Sequence, residues 1–161
     1  MKKIFPLREL KKVISKQKNR GKTVVLVNGC FDLIHIGHIR YLKAARNMGD
    51  LLVVALNSDS SVSRLKGEGR PILNQSHRAQ ILSSFEFVDY VTIFSEKDVS
   101  RILLTLKPQI QAKGTDYSKE TVPEKDIVHS YGGKVMIVGG PKIRSTSEII
   151  AEIAENHHVS S

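Results

Sequence analysis

The chain has 161 residues, 40% hydrophobic and 25% charged, a globular balance that excludes wholesale disorder and a collagen-like repeat. Its longest purely apolar run, residues 51–56, is far shorter than the roughly 18 residues of a membrane helix, and its single cysteine excludes an internal disulfide or a multi-cysteine metal site. Lysine and arginine number 25 against 16 acids, a formal +9, which favours phosphate-bearing partners without separating nucleic acid from nucleotide or an acidic membrane face.

Residues 1–22 hold nine of those basic residues and one acid, so the other 139 carry a net charge of only +1. Leu7, Leu10, Val13 and Ile14 share one helical face, which predicts a basic amphipathic helix on the domain edge, closed by a turn at 19–22. Two lysines open the chain, but Arg8, Glu9, Lys11 and Lys12 interrupt any apolar stretch that would serve as a signal peptide. With the lone cysteine, this makes a reducing cytoplasm the expected location. Residues 23–28, TVVLVN, are β-branched and bounded by Gly21 and Gly29, the pattern of a buried strand. Residues 51–57 and 88–94 read the same way, and 108–113 and 134–138 are weaker versions. Helical patterns fill the intervals at 37–48, 75–85, 98–106, 123–131 and 145–155. In 37–48, Ile39, Leu42, Ala45 and Met48 recur every three residues and are expected to mark one buried face. Apolar strands alternating with helices predict a single doubly wound, Rossmann-like α/β domain over 23–156. Its parallel sheet has about five strands with helices on both faces, and a tail follows at 157–161.

In such a sheet, ligands bind beyond the carboxyl ends of the strands. The first of those ends carries Asn28-Gly29-Cys30-Phe31-Asp32-Leu33-Ile34-His35-Ile36-Gly37-His38. Two histidines flank a glycine at a helix mouth, where unpaired N–H groups and the positive dipole end attract phosphate. Gly37 omits a side chain where a phosphate approaches the backbone. Singly, His35 and His38 read as ordinary core or surface histidines; as H-x-G-H directly after a strand, they read as donors to phosphate oxygens. A zinc site is the rival, and it is weak: helical metal pairs use i, i+4 histidines and no third ligand follows. No protein-held metal is therefore expected. Asp32 orients a histidine, contacts a phosphate or caps the next helix; the residues leave that choice open.

Lys66 lies in Arg64-Leu65-Lys66-Gly67-Glu68-Gly69-Arg70-Pro71, whose two glycines suit a mobile loop closing over phosphates, although a solvated surface loop has the same composition. Arg78, in the next helix, is either structural or part of the site. Lys113-Gly114-Thr115-Asp116-Tyr117 follows the fourth strand at another carboxyl end, and is also the composition of a plain turn. Arg144-Ser145-Thr146-Ser147-Glu148 opens the last helix, with Ser145 as N-cap and Glu148 completing a capping box. His77, His129, His157 and His158 have no partner pattern.

These strings, with Arg40-Tyr41-Leu42, Gly49-Asp50 and Asn57-Ser58-Asp59, carry a resemblance over about residues 7–153. The chain resembles the H-x-G-H nucleotidylyltransferases, and among them the adenylyltransferases that make ADP-heptose, which occur alone or as the C-terminal half of a bifunctional kinase–transferase. The resemblance implies transfer of AMP from ATP to D-glycero-β-D-manno-heptose 1-phosphate by direct in-line attack, with release of pyrophosphate, for lipopolysaccharide core or another heptose glycan. It implies His35, His38 and Lys66 as catalytic residues. Asn28, Gly29, Cys30, Phe31, Gly37, Arg144, Ser145, Thr146 and Ser147 would surround the nucleotide, with Ser147 keeping the hydroxyl of the threonine common in relatives. Asp32, Arg70, Lys113, Gly114, Asp116 and Tyr117 would surround the sugar phosphate. Cys30 is assigned to packing beside the nucleotide, since this chemistry needs no thiol. Mg2+ is expected with ATP, carried mainly by the phosphates. A separate heptose kinase would supply the acceptor, and a homodimer is expected.

Two other readings use the same features. A cytidylyltransferase acting on glycerol 3-phosphate or a similar phosphate shares the H-x-G-H loop, and the strings at 28–30 and 64–71 argue against it. A nucleic-acid-binding module would use the positive charge, but aromatics are 6% and Trp is absent, leaving few stacking platforms. Neither nucleic-acid binding nor membrane insertion is expected.

Overall fold

A computed structural model describes residues 1–158. Five strands, β1 (Val24–Gly29), β2 (Leu51–Asn57), β3 (Tyr90–Phe94), β4 (Ile110–Lys113) and β5 (Lys134–Ile137), form one sheet in the order β3-β2-β1-β4-β5. Every pairing is parallel. Among the described residues, seven helices accompany them: α1 (Leu7–Asn19), α2 (Ile36–Arg46), α3 (Asp59–Lys66), α4 (Gln75–Ser84), α5 (Ser100–Leu106), α6 (Lys125–Ser130) and α7 (Thr146–His158). The chain steps outward from β1 to β3, then crosses back to place β4 on the other side of β1. The carboxyl ends of β1 and β4 therefore flank a topological switch point. Strand positions agree with the sequence reading to within two residues.

Alternation along β1 builds a core on each face. Val24 and Leu26 join Leu10 and Ile14 of α1, Leu103 of α5 and Val128 of α6. Val25 and Val27 join Leu42 and Ala45 of α2 with Ala79 and Leu82 of α4. All four β1 side chains are fully buried, which is why the strand reads as a continuous apolar run instead of an alternating one.

The basic N-terminal segment does more than cover an edge with a helix. Ile4 bridges Val91, Phe5 N–H donates to the Val91 carbonyl at 3.0 Å and Val91 N–H donates to that of Lys3 at 2.9 Å, so residues 3–5 shield the outer edge of β3. Lys3 Nζ donates to the Phe85 carbonyl at the end of α4 at 2.9 Å. Lys18 Nζ donates to the Lys107 carbonyl at the end of α5 at 2.7 Å. Each places a cation where helix carbonyls lack partners, so part of this charge is structural.

Three expectations are corrected. Residues 64–66, read as the start of the 64–71 loop, instead end α3; only Val62 and Leu65 are apolar in that helix, too few to show a helical stripe, and it is set by Ser58, whose Oγ accepts from Ser61 N–H at 3.2 Å. Met48 lies beyond α2, which ends at Arg46 with Asn47 as its C-cap, and is 38% exposed, so it is no part of that helix's buried face. Helix α7 continues through His157 and His158, assigned above to a tail; the rest of that tail lies outside the described residues. Among the described residues, no helix is long and apolar enough to cross a membrane.

Candidate active site

A cavity of about 570 Å³ opens at the carboxyl ends of β1 and β4, within the range of about 300–1,000 Å³ usual for small-molecule sites. Every site residue that the resemblance implies lines it, from Asn28 on β1 to Ser147 on α7. Arg40, Tyr41, Asn57 and Lys142 line it too. The first two lie two and three residues beyond His38 on α2, a spacing that is present in the sequence.

The H-x-G-H segment is built as a helix cap. His35 Nδ1 accepts from Gly37 N–H at 3.1 Å, and His38 Nδ1 accepts from His35 N–H at 3.4 Å. The rings lie 3.9 Å apart, centroid to centroid. Because each Nδ1 accepts, each neutral ring carries its proton on Nε2 and offers one N–H donor. Burial, then the neighbouring His35, pushes the His38 pKa down to about 4 from 6.5. Burial lowers that of His35 also, against the pull of Glu148. Both rings are neutral donors at neutral pH.

Depression of the His38 pKa has a sign. Below about pH 6.5 the unfolded chain binds a proton that folded His38 refuses until about pH 4. Stability is therefore lost as pH falls through that window, by at most about 1.4 kcal/mol for each pH unit. Urea unfolding of wild type and His38→Asn between about pH 4.5 and 7 checks this, with the variant expected to lose less stability on acidification.

Gly37 has a closer reason than phosphate access. A Cβ there would stand 2.9 Å from His35 Cε1 and 3.0 Å from its Nδ1, so only glycine leaves room for the capping ring. Gly37→Ala is expected to displace that ring and cut turnover at least about tenfold, with helix α2 intact by circular dichroism. Phe31, in the left-handed region at φ 45°, turns the chain and sets its ring 5.3 Å from that of His38. Such a conformation costs about 1 kcal/mol or more for a non-glycine residue and concentrates at functional sites.

Asp32 does not cap α2; His35 does. The Asp32 carboxylate, 1% exposed, accepts from Arg70 Nε at 2.9 Å, from Ile72 N–H at 2.8 Å and from Leu73 N–H at 2.9 Å. Burial raises its pKa, but these bonds together hold it below the ordinary carboxylate range. Arg78 lies outside the cavity. Fully buried beneath it, Arg78 donates to the carbonyls of Leu73, Cys30 and Asn57 at 2.9, 2.6 and 2.8 Å and to Asp59 Oδ1 at 2.7 Å. One guanidinium thus ties together the ends of β1 and β2 and the loop between α3 and α4.

Lys66 ends α3, ahead of Gly67 at φ 95°, and is exposed at the cavity rim. It contributes, with Arg78 and Arg70, to lowering the Cys30 pKa; burial outweighs them and leaves that thiol raised, inert at neutral pH. Lys113 is nearly buried, with Nζ 3.2 Å from Asn28 Oδ1, 3.3 Å from Glu124 Oε2 and 5.0 Å from the Tyr117 ring. Burial lowers its pKa, and Glu124 opposes this. Asp116 faces Lys142 at 3.9 Å, and Thr115 Oγ1 donates to the Gly140 carbonyl at 2.7 Å, joining the loops after β4 and β5 over the cavity. The capping box of α7 forms as read: Glu148 N–H donates to Ser145 Oγ at 3.2 Å and Ser145 N–H to Glu148 Oε2 at 2.9 Å. Thr146 Oγ1 donates to the Leu33 carbonyl at 3.2 Å, docking α7 against the H-x-G-H loop, while Arg144 pairs with Glu152 at 2.6 Å.

Comparisons with known proteins agree with this geometry. The sequence profile of the cytidylyltransferase-like family matches residues 26–161. The bifunctional protein HldE of Syntrophotalea carbinolica is 49% identical over 152 residues, which cover 94% of this chain and 31% of the relative. HldE of Geobacter metallireducens is 50% identical over 151 residues, with the same coverage. The chain thus spans about a third of the length of these relatives. Among solved structures, the lipopolysaccharide core biosynthesis protein of Thermoplasma volcanium aligns with a TM-score of 0.63 at 31% identity, over 77% of this chain and 100% of that one. Pantoate-beta-alanine ligase of Francisella tularensis, 18% identical with a TM-score of 0.62 over 91% of this chain and 69% of its own, shares the fold. A switch-point cavity, two mutually capped histidines at its floor and a family profile covering most of the chain agree: this protein belongs to the cytidylyltransferase-like family.

Proposed function

We propose that this chain is an adenylyltransferase that joins AMP from ATP to D-glycero-β-D-manno-heptose 1-phosphate. The observation that carries the reading is the pair of neutral imidazoles, each with Nδ1 committed to the backbone and Nε2–H left for a phosphate oxygen. The identity to HldE proteins supports the choice of substrates. An oxygen of the sugar phosphate attacks the α-phosphorus, the bond to the bridging oxygen breaks, and pyrophosphate leaves with that electron pair. The attacking oxygen is already anionic, so no base is needed. Charge builds on the oxygens around the α-phosphorus, where preorganised donors act.

His35 and His38 are those donors in this account, with Lys66 supplying charge from the rim. The N-terminus of α7, with the hydroxyls of Ser145, Thr146 and Ser147, receives the outer phosphates. Magnesium is expected to enter with ATP. Among the described residues no group of three or more His, Cys, Asp or Glu side chains converges, Asp32 is held by Arg70 and the backbone of residues 72–73, and Asp116 faces Lys142. The cation is therefore assigned to the triphosphate and water, as a component of the substrate.

A pyrophosphate-release panel tests the substrates: ATP and CTP, each against heptose 1-phosphate and glycerol 3-phosphate. Release with ATP and heptose 1-phosphate is the expected result. Turnover only with CTP and glycerol 3-phosphate would replace this reading by that of an alcohol-phosphate cytidylyltransferase.

A further inference from the structure

The loop between β1 and α2 is anchored on two sides. Its first half is held to the segment around residues 70–78: Cys30 through Arg78, and Asp32 through Arg70, Ile72 and Leu73. Its second half is held to α7, with Thr146 donating to the Leu33 carbonyl and the Arg144 carbonyl 3.6 Å from where a Gly37 Cβ would stand. The loop therefore crosses the cavity floor from the Arg70 side to the α7 side. In-line displacement puts the attacking and leaving oxygens on opposite sides of the phosphorus. With the leaving pyrophosphate at the N-termini of α2 and α7, the attacking phosphate arrives from the Arg70 side.

Arg70 is built for that position. Its Nε–H is taken by Asp32, and its terminal nitrogens have no hydrogen-bond partner among the described residues, although the side chain is only 15% exposed. It lines the cavity. Asp32 accepts from three donors, Arg70 Nε–H, Leu73 N–H and an Ile72 N–H that is shared between its two oxygens. Both of its oxygens are engaged by these donors. It holds the guanidinium at one end and the backbone of residues 72–73 at the other.

We propose that Arg70 is a preformed fork for the phosphate monoester of the acceptor, and that Asp32 is a positioning residue that fixes the fork. A guanidinium fixed at Nε presents its terminal N–H groups in the spacing of two phosphate oxygens. The carboxylate beside it holds that orientation before substrate enters, so little side-chain freedom is lost on binding. This rests on the phosphoryl-acceptor reading above, but not on heptose as the sugar.

The test is steady-state kinetics of wild type, Arg70→Ala, Asp32→Asn and the double variant, with whichever phosphate monoester wild type turns over. Arg70→Ala is expected to raise the acceptor KM about 30-fold or more while the KM for ATP stays within about threefold. Added guanidinium is expected to restore part of the loss in Arg70→Ala but not in the double variant, because the added ion needs the Asp32 carboxylate; a purely structural Asp32 would not show this. An acceptor KM unchanged in Arg70→Ala, an equal rise for ATP, or rescue that ignores Asp32 would overturn the proposal. If Asp32→Asn does not fold, the Arg70→Ala split between the two KM values still decides. Failure of heptose 1-phosphate as acceptor for wild type, with another phosphate accepted, would overturn only the substrate assignment.

Discussion

Replacing His38 with alanine is expected to lower turnover by about 10²- to 10³-fold while the melting temperature moves by only a few degrees. The size follows from removing one preorganised donor from the charge that develops at the α-phosphorus, a loss of about 3–4 kcal/mol in comparable sites. The small effect on folding follows from the cap. His35 Nδ1 still accepts from Gly37 N–H, and the hydrogen bond that the substitution removes, from His35 N–H to His38 Nδ1, is long at 3.4 Å. Two further variants separate the donor from the cap. His38→Gln, whose amide nitrogen reaches toward the Nε2 position, is expected to recover part of the activity. His38→Asn, which reproduces only the Nδ1 acceptor, is not. Near-normal turnover in His38→Ala would mean that the histidine pair is a cap and nothing more.

The largest expected effect on stability is at Arg78. Arg78→Met keeps the apolar stem but leaves the carbonyls of Cys30, Asn57 and Leu73 and the Asp59 carboxylate without the donor that now serves all four. Leaving a buried carbonyl without its donor costs about 1–3 kcal/mol, while the half-exposed Asp59 regains water, and urea unfolding is expected to show a loss of about 3 kcal/mol. Arg78→Lys is expected to lose much of it too, because one ammonium cannot span four acceptors fixed for a planar fork. Since two of those carbonyls end β1 and β2, the same variants should weaken nucleotide binding although Arg78 lines no part of the cavity. A loss below about 1 kcal/mol would contradict the clamp assignment.

The sheet is legible in the sequence because its strands are buried on both faces: TVVLV and LLVVAL leave no polar face for a helix to present. The site is legible because H-x-G-H follows the first strand directly, where the fold class places ligands. What stays hidden depends on contacts between distant segments. Arg78 looks like any basic residue on a short helix until the fold brings Cys30 and Asn57 above it. Asp32 sits beside the histidines in sequence, yet its partners are some 40 positions away. The role of Gly37 is obscured for a related reason, since the ring that needs the space belongs to His35, two residues earlier, and bends back only because it caps the helix. Helix α3 stays hidden because Ser58 starts it by capping, with almost no apolar stripe to announce it.

Joining a nucleoside monophosphate to a sugar 1-phosphate is the activity proposed for this cavity, and the mass of the product decides it. Incubated with ATP, Mg2+ and D-glycero-β-D-manno-heptose 1-phosphate, the protein is expected to yield ADP-heptose with one pyrophosphate per molecule formed, and His38→Ala to yield a small fraction of it in the same time. Absence of any nucleotide-sugar from the wild-type reaction, with CTP and glycerol 3-phosphate joined instead, would show that the cavity is not a sugar-phosphate adenylyltransferase site.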